Sequence, residues 1–440
     1  MSKLRLLYSS NSIFCTSGYG VQGKSLIPRL AGLPEFGGIQ NIAQFAWYGM
    51  QGGVANIDGL KIYPAGIDPY GNDIIEAHTK NFNANIVISL IDVWVMKETA
   101  KKVAPALWLP WTPIDHDPVP EAVLSSLQGA HLTLSYSKWG KMMLDKVGVK
   151  NEYIPHGIET DTYRVFEDRQ RIADFREQVF KLDKGGHLSV MVAANKGYPD
   201  RKGFQQQLRA WKEFAKDKPN ARIYIHTEPT QMYGGLEIGK LIENLGIGDK
   251  VLFPERYQYF IGMPSEYLAL VYNSADVLLA NSMSEGFGIP IIEAQACGTP
   301  VITTNFSAMP ELVRWGYKID PLDMLWTPMN AWQAWPDHTG ITEALNELYG
   351  QWEANGGQWS MAKRLQTQTA IHQEYSWDSI VRDNWQPLIT RLANEAPPLA
   401  QAQQPQAEIK QVATKKSARV QPVIPGENIT VNGMQPEVVA

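Results

Sequence analysis

Short apolar runs alternate with amphipathic stretches of helix length from the start of the chain, the pattern of parallel strands joined by crossover helices. In the first part, 4–8, 42–47, 60–63, 85–90, 107–111, 132–136 and 153–155 read as strands, with 73–83 and 137–147 as intervening helices. The pattern restarts after the charged stretch 167–184, which runs into Gly185-Gly186. Strands are then expected at 188–193, 221–226, 250–253, 276–280 and 300–304. Between two of them Phe204, Leu208, Trp211 and Ala215 recur at helical spacing, one buried stripe. Residues 340–395 read as mostly helical, and the last aromatic residue is Trp385. From Ala396 onward Pro, Gln, Ala and Val predominate, too little apolar area to offset the entropy of ordering, so 396–440 is expected to be a disordered tail. The predicted class is α/β.

Composition narrows the functions. Of 440 residues, 44% are hydrophobic and 19% charged, an ordinary globular balance. Lys and Arg number 40 against 45 Asp and Glu, a formal charge of -5, so no overall positive field recruits nucleic acid or an anionic membrane. Cys15 and Cys297 are too few for a disulfide framework or a cysteine zinc site and suit a reducing compartment, so the cytoplasm is expected. No uncharged apolar run approaches the roughly 18 residues of a membrane helix, and residues 1–8 lack the pattern of a secretion signal.

The loop Gly18-Tyr19-Gly20-Val21-Gln22-Gly23 fits the dinucleotide fingerprint GxGxxG. Its context argues against a nicotinamide-dependent oxidoreductase. Residues 9–17 separate it from the preceding strand, and the second strand ends in Tyr48-Gly49 without the carboxylate that would hold a ribose. What survives is close backbone approach to a ligand at the start of a helix.

A stronger signal is the loop 281–294, NSMSEGFGIPIIEA. It follows an apolar strand, passes Gly286-Phe287-Gly288 and enters a helix with Pro290 in its first turn, where a missing N–H costs little. Bare amides and the positive end of the helix dipole favour an anion there. Glu285 and Glu293 would repel phosphate, so they are expected to accept hydrogen bonds from sugar or ribose hydroxyls. A ligand with both phosphate and polyol is implied. Lys196, Arg201 and Lys202 supply cations at the end of the first strand of the same half, the edge where doubly wound sheets bind ligands.

These segments, with PDRKGF at 199–204 and IPHGIETDTYRVF at 154–166, resemble the retaining glycosyltransferases of the GT-B fold, in particular glycosyltransferase family 4. The likeness runs over about 1–395 and is strongest from 188 to 315. It implies two Rossmann-like domains facing across a cleft: 1–166 on the acceptor side, 167–375 on the donor side, and a closing helix at 376–395 returning to the first. It implies a nucleotide-sugar donor, UDP or GDP, no cofactor, no metal, and a hexosyltransferase reaction with retained anomeric configuration. By position, Lys202 matches the phosphate-binding lysine, Glu293 the ribose-binding glutamate and Glu285 the residue that contacts the donor sugar. Gly286, Phe287 and Gly288 match the loop whose amides face sugar and phosphate, and Gly18, Tyr19 and Gly20 match the N-terminal glycine loop. His116, in WTPIDHD, takes the place of the active-site histidine. Where the family has arginine this chain has Lys196, and Arg201 is the alternative guanidinium for the leaving phosphate. His156 reads as structural, Asp92 as a further cleft residue, and Trp315, Trp326, Trp332 and Trp335 mainly as core, with stacking on sugar rings as the alternative. The acceptor, whether glycan, lipid, protein or nucleic-acid base, is unspecified. A GT-B protein that binds nucleotide or glycan without catalysis is the rival reading.

Overall fold

The computed structural model describes residues 4–182 and 185–400. Residues 401–440, most of the expected tail, lie outside the described residues, and with them Lys415, Lys416 and Arg419, whose charges read in the sequence as a solvated linker.

Two parallel sheets carry the fold. The first has β1 (Leu6–Asn11), β2 (Ile42–Tyr48), β3 (Ala55–Ile57), β4 (Leu60–Tyr63), β5 (Ile86–Leu90), β6 (Leu107–Thr112), β7 (Thr133–Ser135) and β8 (Asn151–Tyr153), in the order β3-β4-β2-β1-β5-β6-β7-β8. Only β3 is antiparallel, a short edge strand that the hydrophobic pattern did not predict. Strands β1, β2 and β5 are buried almost throughout, which is why they read as continuous apolar runs. The second sheet has β9 (His187–Val192), β10 (Ala221–His226), β11 (Val251–Leu252), β12 (Val277–Ala280), β13 (Val301–Thr304) and β14 (Gly316–Ile319), in the order β11-β10-β9-β12-β13-β14, all parallel. Five of these six were expected. The sixth, β14, is a half-exposed edge strand with a weak apolar signature.

The stripe Phe204, Leu208, Trp211 and Ala215 is buried in the helix Phe204–Ala215, against the second sheet. At the carboxyl end of the chain, His338–Ala354 and Met361–Tyr375 are helices, and Trp377–Glu395 continues through a π-turn at Val381–Trp385. This last segment crosses to the first sheet. The Trp385 ring stands edge-on to Trp111 at 5.1 Å, Asn384 donates to the Tyr153 carbonyl, and Arg29 bonds both Glu159 and Asp378.

A hairpin beyond the second sheet also had no sequence forecast. The antiparallel hairpin β15 (Asp323–Trp326) and β16 (Trp332–Trp335) follows the second sheet. Trp332 and Asp117, from opposite halves, exchange two backbone hydrogen bonds of 2.7 and 3.2 Å, and Ala334 N–H donates to the Met283 carbonyl. The hairpin thus ties the loop carrying His116 to the loop carrying Glu285. Trp326 and Trp332 are exposed and meet edge-to-face at 4.8 Å, while Trp315 packs against Trp359 at 4.9 Å, so the core reading of these tryptophans holds for only part of the group.

Candidate functional site

The carboxyl ends of both sheets meet at one crevice. On the C-terminal side the loop after β12 bends sharply. Gly288 has φ +111°, a conformation that side-chain-bearing residues rarely adopt, and Pro290 lies in the first turn of the helix Ile289–Ala296. Gly286 sits beneath Pro113 of the other half, so close that a Cβ would lie 2.2 Å from the proline's. Phe287 is buried against His156 and Tyr375, so its side chain is packing while its backbone belongs to the loop.

Arg201 and Lys202 enter this loop from the segment after β9. Gly203 (φ +66°) turns the chain into the helix Phe204–Ala215, and Asp200 accepts the Gln205 amide at that helix start. Lys202 Nζ lies 2.5 Å from Glu285 Oε1, Arg201 donates to the Ser284 carbonyl at 2.8 Å and approaches Glu285 at 3.3 Å, and Ser282 donates to Glu285 at 2.6 Å. Burial alone would push the Glu285 carboxyl up, but Lys202 and Arg201 outweigh it and hold it down at about 2. Burial and the neighbouring guanidinium lower Lys202. Arg201 is opposed by burial but stabilised above its ordinary range by Glu285, Asp115 and Asp92.

Across the crevice, β6 delivers Asp115 and His116. His116 Nδ1 is 2.7 Å from Asp115 Oδ1, and Asp115 lies 3.9 Å from Arg201. Burial raises the Asp115 carboxyl, and the His116 ring and Arg201 more than offset it, leaving it below the usual value. The glycine loop begins the helix Gly18–Ala31. Ser17 caps its Gly20 amide and is held by Asn11, and Gly18 faces the donor-side helix, where a Cβ would stand 3.8 Å from Ile289. Tyr19 donates to Asp92 at 3.3 Å, and burial raises the Asp92 carboxyl, with Asp115 adding to it. The two halves are clasped as well by Glu311, which accepts the Lys138 and Trp139 amides at the start of a helix, each at 3.0 Å.

Arg201, Lys202, Glu285, Gly286, Gly288, Asp115, His116, Gly18, Tyr19 and Asp92 therefore border one crevice. Two further expected residues have other partners. Lys196 is exposed, with its ammonium over the Tyr233 ring at 5.2 Å. Glu293 is buried one turn into its helix, where it accepts from the Tyr272 hydroxyl at 2.9 Å; burial lifts its carboxyl to about 7 against the hydrogen bonds of Tyr163 and Tyr272. His156 is buried among Trp111, Tyr136 and Phe287, and burial drives it down to about 3, so it is neutral packing. Sequence reasoning missed Asp115 as the partner of both His116 and Arg201, Ser282 and Ser284 on the glutamate loop, and the β15–β16 strap. The DHD spacing was the available signal for Asp115; the strap had none. Among the described residues, no group of three or more His, Cys, Asp or Glu is placed to hold a metal ion, and no helix is long and apolar enough to cross a membrane.

Residues 174–358 match the family model described as Glycosyl transferases group 1. A D-inositol 3-phosphate glycosyltransferase of Segniliparus rotundus is 36% identical over 116 residues, 26% of this chain. The chain spans 24% of that relative's length and half or less of the length of seven other curated relatives. Among solved structures, the sucrose-phosphate synthase of Thermosynechococcus elongatus covers 89% of this chain and 100% of its own with TM-score 0.66 at 17% identity. Anabaena Alr3699/HepE, solved with UDP-glucose, covers 89% and 100% with TM-score 0.61 at 14% identity. The chain is thus an α/β protein of the GT-B glycosyltransferase fold that carries a glycosyl transferases group 1 domain over residues 174–358.

Proposed function

We propose that this chain is a cytoplasmic, retaining, metal-independent glycosyltransferase of family 4 that moves a hexose from a nucleoside diphosphate, UDP or GDP, to an acceptor hydroxyl. One observation carries the reading: Arg201, Lys202 and Glu285 converge at the amide-bearing start of the helix Ile289–Ala296, opposite the Asp115–His116 pair. Glu285 and Asp115 neutralise Lys202 and Arg201 within the site. An entering diphosphate offers Lys202 and Arg201 a more highly charged partner, and Glu285, released, accepts hydrogen bonds from the sugar hydroxyls. The UDP-glucose in the HepE structure supports a nucleotide sugar as the donor class.

As the C1–O bond to the β-phosphate breaks, its electron pair stays on the phosphate oxygen, where Lys202, Arg201 and the loop amides meet the growing charge. The acceptor oxygen bonds C1 from the same face, and its proton passes to that phosphate oxygen, which leaves as the nucleoside diphosphate. His116, oriented by Asp115, faces the transferring sugar. The contacts of Pro113 with Gly286 and of Asp117 with Trp332 close the crevice and limit attack by water.

Melting curves of the purified chain with UDP, GDP, UDP-glucose and GDP-mannose test the donor, and release of nucleoside diphosphate tests the chemistry. Stabilisation by one nucleotide class together with slow donor hydrolysis is expected. Stabilisation without any nucleotide release, with or without acceptor, identifies a binding protein instead, and no stabilisation by any of the four removes the reading.

A further inference from the structure

Aromatic rings stand exposed at the carboxyl edge of the first sheet. Phe14, Tyr48, Trp94 and Tyr70 are 57, 54, 48 and 39% exposed, a large apolar area to leave in water. Tyr48 ends β2, and Phe14, Trp94 and Tyr70 rise from the loops after β1, β5 and β4, all at the carboxyl edge of the first sheet. The loops form one rim. Ser12 N–H and Cys15 Sγ both contact the Tyr48 carbonyl, at 2.8 and 3.8 Å. The Trp47 ring bridges Tyr48 and Tyr70 at 6.3 and 6.0 Å, and Asn72 ties the Tyr70 loop to the Trp94 turn through the Val95 carbonyl and the Lys97 amide. The rim adjoins the crevice: Trp94 is two residues from Asp92, which accepts from Tyr19, and Thr16, two from Phe14, lies against Gly262 of the other half.

Its net charge is small, with Lys102 reaching in from outside to donate to the Asn72 carbonyl at 2.8 Å. Segments 12–16, 47–54, 65–72 and 91–97 contain Asp68, Asp92 and Lys97 as their only ionisable acids and bases of Asp, Glu, Lys or Arg type. Asp68 is occupied by the Tyr70 and Asn72 amides, and Asp92 by Tyr19. A phosphorylated acceptor or a nucleic-acid strand calls for paired cations, and an anionic membrane calls for a basic fringe. Exposed rings on a stiff rim of small net charge instead suit the C–H faces of sugar rings.

We propose that Phe14, Tyr48, Tyr70 and Trp94 form the acceptor platform and that the acceptor is a neutral oligosaccharide. The assignment of this edge to the acceptor rests on the transferase reading above, but the binding itself is measured without the donor. Trp fluorescence of the full chain is titrated with a panel of neutral oligosaccharides, including maltotetraose and cellotetraose, and in parallel with myo-inositol 3-phosphate, oligothymidylate and phosphatidylglycerol vesicles. Saturable binding of a neutral member is expected. Tyr48→Ala and Trp94→Ala should each weaken it by about tenfold, followed by calorimetry, with Tyr48→Phe restoring it and the parent melting curve retained. No binding by any neutral oligosaccharide, binding only by the inositol phosphate, oligothymidylate or vesicles, or glycan binding indifferent to both alanine variants would overturn the proposal. Failure of nucleotides to bind would strike the donor reading and with it the acceptor role of this edge, and would leave the glycan site itself standing.

Discussion

The two walls of the crevice are built from opposite materials. The C-terminal wall is ionic: Arg201 and Lys202 each reach the Glu285 carboxylate, over backbone amides at a helix start. The N-terminal wall joins one charged point, Asp115 with His116, to a rim of exposed rings with almost no net charge. A ligand pair that satisfies both is anionic at one end and neutral at the other, as a nucleotide sugar and a glycan would be. The ionic wall also discriminates by competition. Its cations are already paired, so only a ligand with charge enough to replace Glu285 gains from entering.

The sharpest way to break this contrast is to remove the cation at its centre. Lys202→Ala should lower turnover by about a hundredfold or more, because its ammonium stabilises charge that grows as the diphosphate leaves. The fold should survive, since the loss leaves Glu285 with Arg201 and Ser282 as partners. Steady-state rates with saturating donor check it, and near-parent turnover would show that the ionic wall binds without catalysing.

Arginine against lysine is the next contrast. Arg201 reaches Glu285 and Asp115, whereas Lys196 lies on Tyr233. Arg201→Ala should therefore cost about tenfold or more in kcat/KM, and Lys196→Ala no more than about threefold. The reverse order would give the leaving phosphate to Lys196 and require the loop at 195–203 to move on donor binding.

The same contrast explains what could be read from the sequence. The ionic wall lies on two contiguous stretches, 195–203 and 281–294, each a strand end followed by a glycine turn and a helix, so residue type and spacing disclosed Lys202, Glu285 and Gly288 together. Parallel strands buried on both faces, such as β1, β5 and β9, announced themselves as apolar runs. The aromatic rim left no such trace. It takes one or two residues from each of four strand ends or the loops that follow them, which only the sheet order β4-β2-β1-β5 brings side by side, and a single Tyr or Trp there looks like core. The edge strands β3 and β14 and the β15–β16 strap escaped for a related reason: they are short and partly exposed, with too few apolar positions to show a pattern, and the strap is further held by distant backbone at Asp117 and Met283.

Glu293 gives the smallest effect and the finest distinction, since it lies on the same helix as the Gly288 turn yet is buried with tyrosines instead of cations. Its folded carboxyl titrates near 7 rather than 4.5, because burial penalises the charge. Between those values the folded chain holds a proton that the unfolded chain has released, so this residue's contribution is full below the unfolded value and fades as pH rises towards 7. The loss is on the order of 3 kcal/mol at most. Glu293→Gln, which cannot ionise, should flatten the decline in melting temperature between pH 5 and 8, measured at about unit intervals. If Glu293 also holds the donor ribose, nucleotide affinity should fall several-fold in the same variant, and should rise with pH through about 7 in the parent as the carboxylate forms. An altered pH profile of melting with unchanged nucleotide affinity would make Glu293 a packing residue and confine donor recognition to the Arg201–Lys202–Glu285 cluster.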